Sequence, residues 1–578
     1  MKQMNQNTFL RVLKYFRPFI GLVCLAAFLA FLVNITDLAG PYIVKIAIDD
    51  YIVGQKAREG IKLIGLVYFL SVLVGACSNY FQNYVLNSIV QQIMHNIRME
   101  LFAHIQHLPL QFFDRNSSGR ILTRVTNDVE SLNEMYSGVL VILFKDLFLL
   151  VGIVAAMLRL NLRLTFLSFS VVPIIVAVTF LYRTKARENF KRVRALIARI
   201  NGFLAENISG MKLVQIFHRE REKYREFKQL NDEYNRASIF EVALTALFRP
   251  SAELINNLGI SLLIWYCTPG IFASTVEIGV LYAFISYIKK FFGPINDLAD
   301  KYNVILSGNV SAERIFELMD HNEGLEEMTS GRPLTELKGK IEFKNVWFAY
   351  HDEDWVLKDV SFTVNPGETV AFVGATGAGK STIISLWSRF YQIQKGEILL
   401  DGVNINEYRL EDLRRRVSVV MQDVFLFAGT IESNIRLNNE EITPEEVKRA
   451  AEYVNADHFI RRLPGAYAAE VKERGCTLSA GERQLLSFAR AVAFNPSILV
   501  LDEATANIDT ETELLIQDSL AKIAKNRTML IIAHRLSTIQ RADKIIVIHK
   551  GRIREMGKHE ELLSQNGIYR HLYEMQYA

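Results

Sequence analysis

GATGAGKST (Gly374–Thr382) decides how this chain is read. It follows the apolar run GETVAFVG (Gly367–Gly374) and precedes TIISLWSRF (Thr382–Phe390), the place where a strand gives way to a helix. The spacing G-x-x-x-x-G-K-[ST] suits one kind of chemistry. Gly374, Gly377 and Gly379, with Ala375, Thr376 and Ala378 between them, let main-chain N–H groups converge on phosphate oxygens. The helix that starts behind them adds its positive end. Lys380 is expected on the β- and γ-phosphates, Ser381 on a magnesium ion, and Thr382 among the residues that bind the nucleotide.

Downstream, ILVLDE (Ile498–Glu503) reads as a buried strand with acids at its exposed end. Asp502 is placed to hold magnesium through its hydration shell, and Glu503 to polarise an attacking water. LSAGERQ (Leu478–Gln484) opens a helical stretch, ERQLLSFARAVAF (Glu482–Phe494), whose N-terminus is a second place for an anion. IIAHR (Ile531–Arg535) ends a further apolar run on His534, and VVMQDVFLF (Val419–Phe427) carries Gln422.

The first 300 residues are of another kind. Six long apolar segments occur: Phe19–Ile48, Ile61–Leu86, Tyr136–Leu158, Leu164–Tyr182, Ala243–Cys267 and Val276–Ile295. A bilayer-spanning helix needs ~20 mostly apolar residues. VLVILFKDLFLLVGIVAAML (Val139–Leu158) is apolar around nearly the whole helix, which suits lipid better than a soluble core. The gaps after the second and fourth segments run to roughly 50 and 60 residues, with helical periodicity and many charges. These gaps read as helices continuing past the bilayer, where 25 residues reach ~37 Å. Asp37, Lys145, Asp146, Glu253, Lys289 and Lys290 fall within the segments; each faces a cavity, a partner or the membrane edge, and none is assigned to substrate.

The 578 residues carry a formal net charge of only +4, which does not suggest nucleic acid. Four scattered cysteines (Cys24, Cys77, Cys267, Cys476) offer neither a zinc motif nor a disulfide framework.

In this order, the phosphate loop, signature helix, acid-ended strand and histidine resemble the ATP-binding-cassette ATPases. FFDRNSSGRILTRVTNDVESL (Phe112–Leu132) and ENISGMKLVQIF (Glu206–Phe217) resemble the two coupling-helix regions of six-helix exporters, and EVKERG (Glu470–Gly475) the short segment that touches them. The resemblance implies a multidomain protein: an all-α six-helix transmembrane domain followed by an α/β P-loop NTPase. The expected division is a cytosolic arm over 1–18, the membrane domain over 19–319, a linker over 320–339 and the ATPase over 340–578.

It also implies roles. Tyr350 stacks on adenine. Gln422 reaches magnesium or water and senses the γ-phosphate. His534 contacts the γ-phosphate and orients the water of Glu503. Ser479 and Gly481 cap ATP held by an opposing subunit. One cassette implies a second half-transporter. The family pattern LSGGQ appears here as LSAGE, and the following loop reads ATANID (Ala504–Asp509). An altered signature beside an intact Glu503 favours a heterodimer, with a homodimer as the alternative.

The expected activity is export of hydrophobic or amphipathic compounds, drug-like or lipid, driven by ATP and Mg2+ across the cytoplasmic membrane. The N-terminus and the ATPase would lie in the cytosol, and the membrane domain in contact with membrane lipids. An ATP-gated channel or sensor on the same scaffold is the alternative, and which compound is carried stays open.

Overall fold

The structure, a computed structural model, describes residues 11–577 apart from 13, 55–57, 138–140, 273–275, 322–330, 335, 352, 503–509, 525, 526, 534 and 535. The chain forms two compact units, one of Met1–Phe102 with Leu122–Asp320, the other of Ala103–Ile121 with His321–Ala578. A segment from inside the long second gap therefore belongs with the C-terminal unit.

In the described residues, the first unit is helical throughout. Among the described residues, four helical stretches are long and apolar enough to cross a membrane: Arg17–Val53, Glu59–His107, Leu162–Ser209 (two helices in close succession) and Glu220–Ile271. The third segment is helical over Val141–Leu160, and the sixth continues past its apolar stretch as one helix, Ile278–Met319. The fourth segment breaks in two: Leu162–Phe169 ends at Ser170, and a new helix starts at Val172. Pro173 marks the new start. It has no N–H to donate, and here it falls in the first turn of the new helix, where that N–H would be unpaired anyway. At the front of the broken pair, the Asn161 side chain caps the first helix by accepting from the Leu164 N–H at 3.1 Å.

Long apolar faces of these helices stay uncovered. In Glu59–His107 no residue of the most apolar stretch is buried by the chain itself. Such surface needs lipid or a second subunit. A compact core forms where Ile153, Leu263, Phe284 and Tyr287 meet, and the Tyr287 hydroxyl donates to the Leu38 carbonyl at 2.7 Å. Ion pairs tie the bundle: Lys290 to Asp37 at 2.8 Å and Lys301 to Asp146 at 3.7 Å.

The second unit holds an α/β fold. Its larger sheet runs in the order Arg552–Gly557, Lys544–His549, Thr369–Val373, Thr528–Ile532, Ile498–Asp502, Val417–Val420. Five strands are parallel, and the Arg552–Gly557 edge is antiparallel. TMLII and ILVL are buried on both faces, which is why they read as unbroken apolar runs. A four-stranded antiparallel sheet, built on Ile341–Ala349, packs its apolar face with Trp387 and Phe372 into a shared core. Trp387 is fully buried, and truncating such a side chain costs ~3–5 kcal/mol.

Candidate nucleotide-binding site

The phosphate loop leaves the C-terminal end of the Thr369–Val373 strand and enters the helix Lys380–Trp387. Open α/β sheets bind ligands at this end of their strands. The turn is feasible because of two glycines. Gly379 has φ +105°, and a Cβ there would stand 2.6 Å from Leu357 Cδ2. A Cβ on Gly374 would collide with the Ile548 carbonyl oxygen. Both positions therefore require glycine.

Lys380 is buried, and its ammonium donates to the Gly374 and Ala375 carbonyls at 2.7 and 3.1 Å. Burial pulls its pKa below the ordinary lysine range, and the Asp502 carboxylate partly offsets this. A sequestered cation, curled over a loop of main-chain groups and bonded to no carboxylate among the described residues, suits a polyphosphate. Ser381 and Thr382 begin the helix beside it. Asp502 is the last residue of its strand, level with Ile532 on the neighbouring one. A hydroxyl, an amide oxygen and a carboxylate, from Ser381, Gln422 and Asp502, are the hard oxygen donors that magnesium takes.

Tyr350 closes one side of the loop. Its hydroxyl lies 3.2 Å from Thr382 Oγ1, and its ring stands edge-on to Tyr391 with centroids 5.1 Å apart. Tyr391, to which the sequence reading gave no role, donates to Asp114 in the helix Leu110–Arg115. Burial, and after it the Asp114 bond, push the Tyr391 phenol up, so it remains a donor. The nucleotide loop is thus two side chains from the segment resembling a coupling helix.

Gln422 is exposed in the loop after Val417–Val420. Arg490 steadies that loop from the signature helix, donating to the Asn434 carbonyl at 2.9 Å and the Phe425 carbonyl at 3.3 Å. Burial lowers the pKa of this guanidinium, whose hydrogen bonds among the described residues go to carbonyls.

The signature helix spans Ala480–Ala493 with Ser479 as its cap and Gly481 buried in its first turn. Ser479 accepts from the Glu482 N–H at 3.2 Å, while the Glu482 carboxylate accepts from the Ser479 N–H at 2.8 Å. This capping box is written in the sequence as Ser-x-x-Glu. Glu482, first read only as a departure from the family pattern, is therefore a structural part of the helix start. It also sets a negative charge on the N-terminus expected to meet phosphate. Glu503, His534 and the ATANID loop lie outside the described residues.

Comparison with known proteins identifies the family. Residues 23–295 match the model of the ABC transporter transmembrane region, and residues 357–506 that of the ABC transporter. The chain is 40% identical to the putative ABC transporter ATP-binding protein exp8 of Streptococcus pneumoniae, over 100% of this chain and 98% of that protein. It belongs to the ABC transporter family. It is also 40% identical, over 90% of its length and 78% of the relative's, to the probable multidrug resistance ABC transporter ATP-binding/permease protein YheH of Bacillus subtilis. A solved structure of a bacterial Atm1-family ABC exporter with ATP bound superposes with a TM-score of 0.79 at 29% identity, covering 96% of this chain and 98% of that one.

This ABC exporter half is therefore an integral membrane protein, with a helical transmembrane domain fused to an ATP-binding ATPase domain that is coupled to transport. As a half-transporter it works with a partner.

Proposed function

We propose that two such halves clasp two Mg-ATP between their cassettes and export hydrophobic or amphipathic compounds, drug-like or lipid, by alternating access. The observation that carries this is the buried Lys380 folded over its glycine loop, in a chain that also carries bilayer-length apolar helices. Lys380 and the loop N–H groups bind the phosphates of one ATP, and Tyr350 stacks on its adenine. Ser479 and Gly481 of the opposing chain close over it. Ser381, Gln422 and Asp502 would hold magnesium, which would supply positive charge against the phosphates. Glu503 polarises the attacking water, and His534 orients it. Only a closed pair gives the signature helix a γ-phosphate to meet, so ATP binds the closed state better and shifts the equilibrium toward it. Hydrolysis removes that preference and resets the pair.

The partner we favour is a different chain. Intact Walker residues here, with alanine and glutamate in the signature, suit a unit whose own Glu503 works opposite a partner's better signature. The N-terminus and cassette lie in the cytosol, where ATP is. Lys2, Arg11, Lys14 and Arg17 in the N-terminal arm support that orientation. Glu503→Gln tests the catalytic assignment. It should keep ATP binding and lower turnover ~10²–10⁴-fold; undiminished hydrolysis by the purified complex would remove Glu503 as the base.

A further inference from the structure

The helix Arg58–His107 carries Asn79, Asn83, Asn87 and Gln91 at intervals of four, on one face. With Tyr80 and Tyr84 they line a groove of about 700 Å³. Amides turned to lipid are costly, so a face of this kind belongs against water, a ligand or protein. Lys145 stands beside it. This lysine, from Val141–Leu160, donates to Asn79 Oδ1 at 3.3 Å. Its turn is fixed by the buried Asn34, whose amide donates to the Lys145 carbonyl at 3.2 Å. Its cationic neighbours in the bundle are already matched: Lys290 meets Asp37, and Lys301 meets Asp146. Among the described residues Lys145 meets no carboxylate, only an amide oxygen. The site is thus one uncompensated positive charge among uncharged hydrogen-bonding groups and two phenols.

Depth follows from chain position. Lys145 stands nine residues beyond Tyr136, where the third apolar segment begins, and Asn79 seven before Leu86, where the second ends. At 1.5 Å per residue these are ~13 and ~10 Å from the cytosolic ends. Both fall in the inner half of a hydrocarbon core ~30 Å thick.

We propose that this groove receives the anionic head group of an amphiphile drawn from the inner leaflet. Lys145 supplies the counter-charge, Asn79 and Asn83 the hydrogen bonds, and the tail remains against the apolar faces. The inference rests on the export reading and names the substrate class for it. A bound anion takes the Lys145 ammonium from Asn79 Oδ1, and the Asn79 Nδ2–H group donates to the same head group. Cationic amphiphiles gain nothing from such a site.

The test uses the full complex in phosphatidylcholine nanodiscs, with ATP hydrolysis measured against oleate, oleylamine and oleyl alcohol. These share a tail and differ in head charge. Oleate should stimulate at a concentration at least ~10-fold below the other two, the effect of one desolvated charge pair. Lys145→Glu should transfer the preference to oleylamine, and Lys145→Gln should abolish it. A merely structural lysine would not exchange one head charge for the other. Equal responses to the three heads, or oleate preference surviving Lys145→Glu or Lys145→Gln, overturn the inference. If Lys145→Glu separates the two chains and Lys145→Gln keeps oleate preference, the face is a subunit interface and the inference is again overturned. Hydrolysis that Glu503→Gln abolishes, without head-group preference, sinks this inference alone. No hydrolysis by the wild type sinks the export reading and the inference together.

Discussion

Glu482→Gln should make this transporter close on ATP more readily. The carboxylate now caps its own helix through the Ser479 N–H at 2.8 Å. Glutamine keeps an oxygen for that N–H and serves equally in a capping box, so the fold should survive with a loss of ~1 kcal/mol or less. What disappears is a negative charge on the helix terminus expected to meet the γ-phosphate. For unit charges ~7 Å apart, Coulomb's law gives ~0.6 kcal/mol in water and ~2.4 kcal/mol at an effective dielectric of 20. Glu482 is half-buried, so ~1 kcal/mol is a fair middle figure, about a five-fold gain. The assay is the ATP concentration for half-maximal vanadate trapping, measured at 50 and 500 mM salt. It should fall about five-fold at low salt and less at high salt, where the charge is screened. An unchanged or higher ATP requirement at low salt would refute the idea that Glu482 opposes closure.

Two other predictions use nearby residues. Ser479→Ala removes the oxygen that accepts the Glu482 N–H at 3.2 Å, a cap worth ~1 kcal/mol. In a heterodimer it should lower turnover less than Glu503→Gln does; equal losses in steady-state hydrolysis would favour a homodimer. Gly379→Ala would place a methyl 2.6 Å from Leu357 Cδ2 at φ +105°. It should lower melting temperature by a strain of ~1–3 kcal/mol and abolish ATP binding; full binding in a fluorescent-nucleotide titration would count against the loop geometry.

Much of this was legible because the signals are local. Gly374 and Gly379 are spaced for a turn only glycine makes, and the structure gives them that turn. Ser479 and Glu482 stand three apart, which is enough to mark a helix start. The apolar runs announce helices by length alone. Non-local pairings were not legible. Nothing near Lys290 in sequence points to Asp37, and nothing near Tyr391 points to Asp114; only the fold brings those residues together. The break at Ser170 could have been read from Pro173, but the apolar run around it hid the boundary. That residues 103–121 join the C-terminal unit follows from tertiary contacts and has no counterpart in composition.

The central claim is that nucleotide held between two chains rearranges the membrane helices. Val53, exposed at the end of the first long helix, is a suitable position for a spin label. With a second label at the matching position of the partner, the inter-label distance is measured in nanodiscs without nucleotide and with Mg-ADP-vanadate trapped. The account predicts two distinct distance distributions, the trapped one lost in Lys380→Ala. One distribution, identical with and without trapped nucleotide, would contradict it.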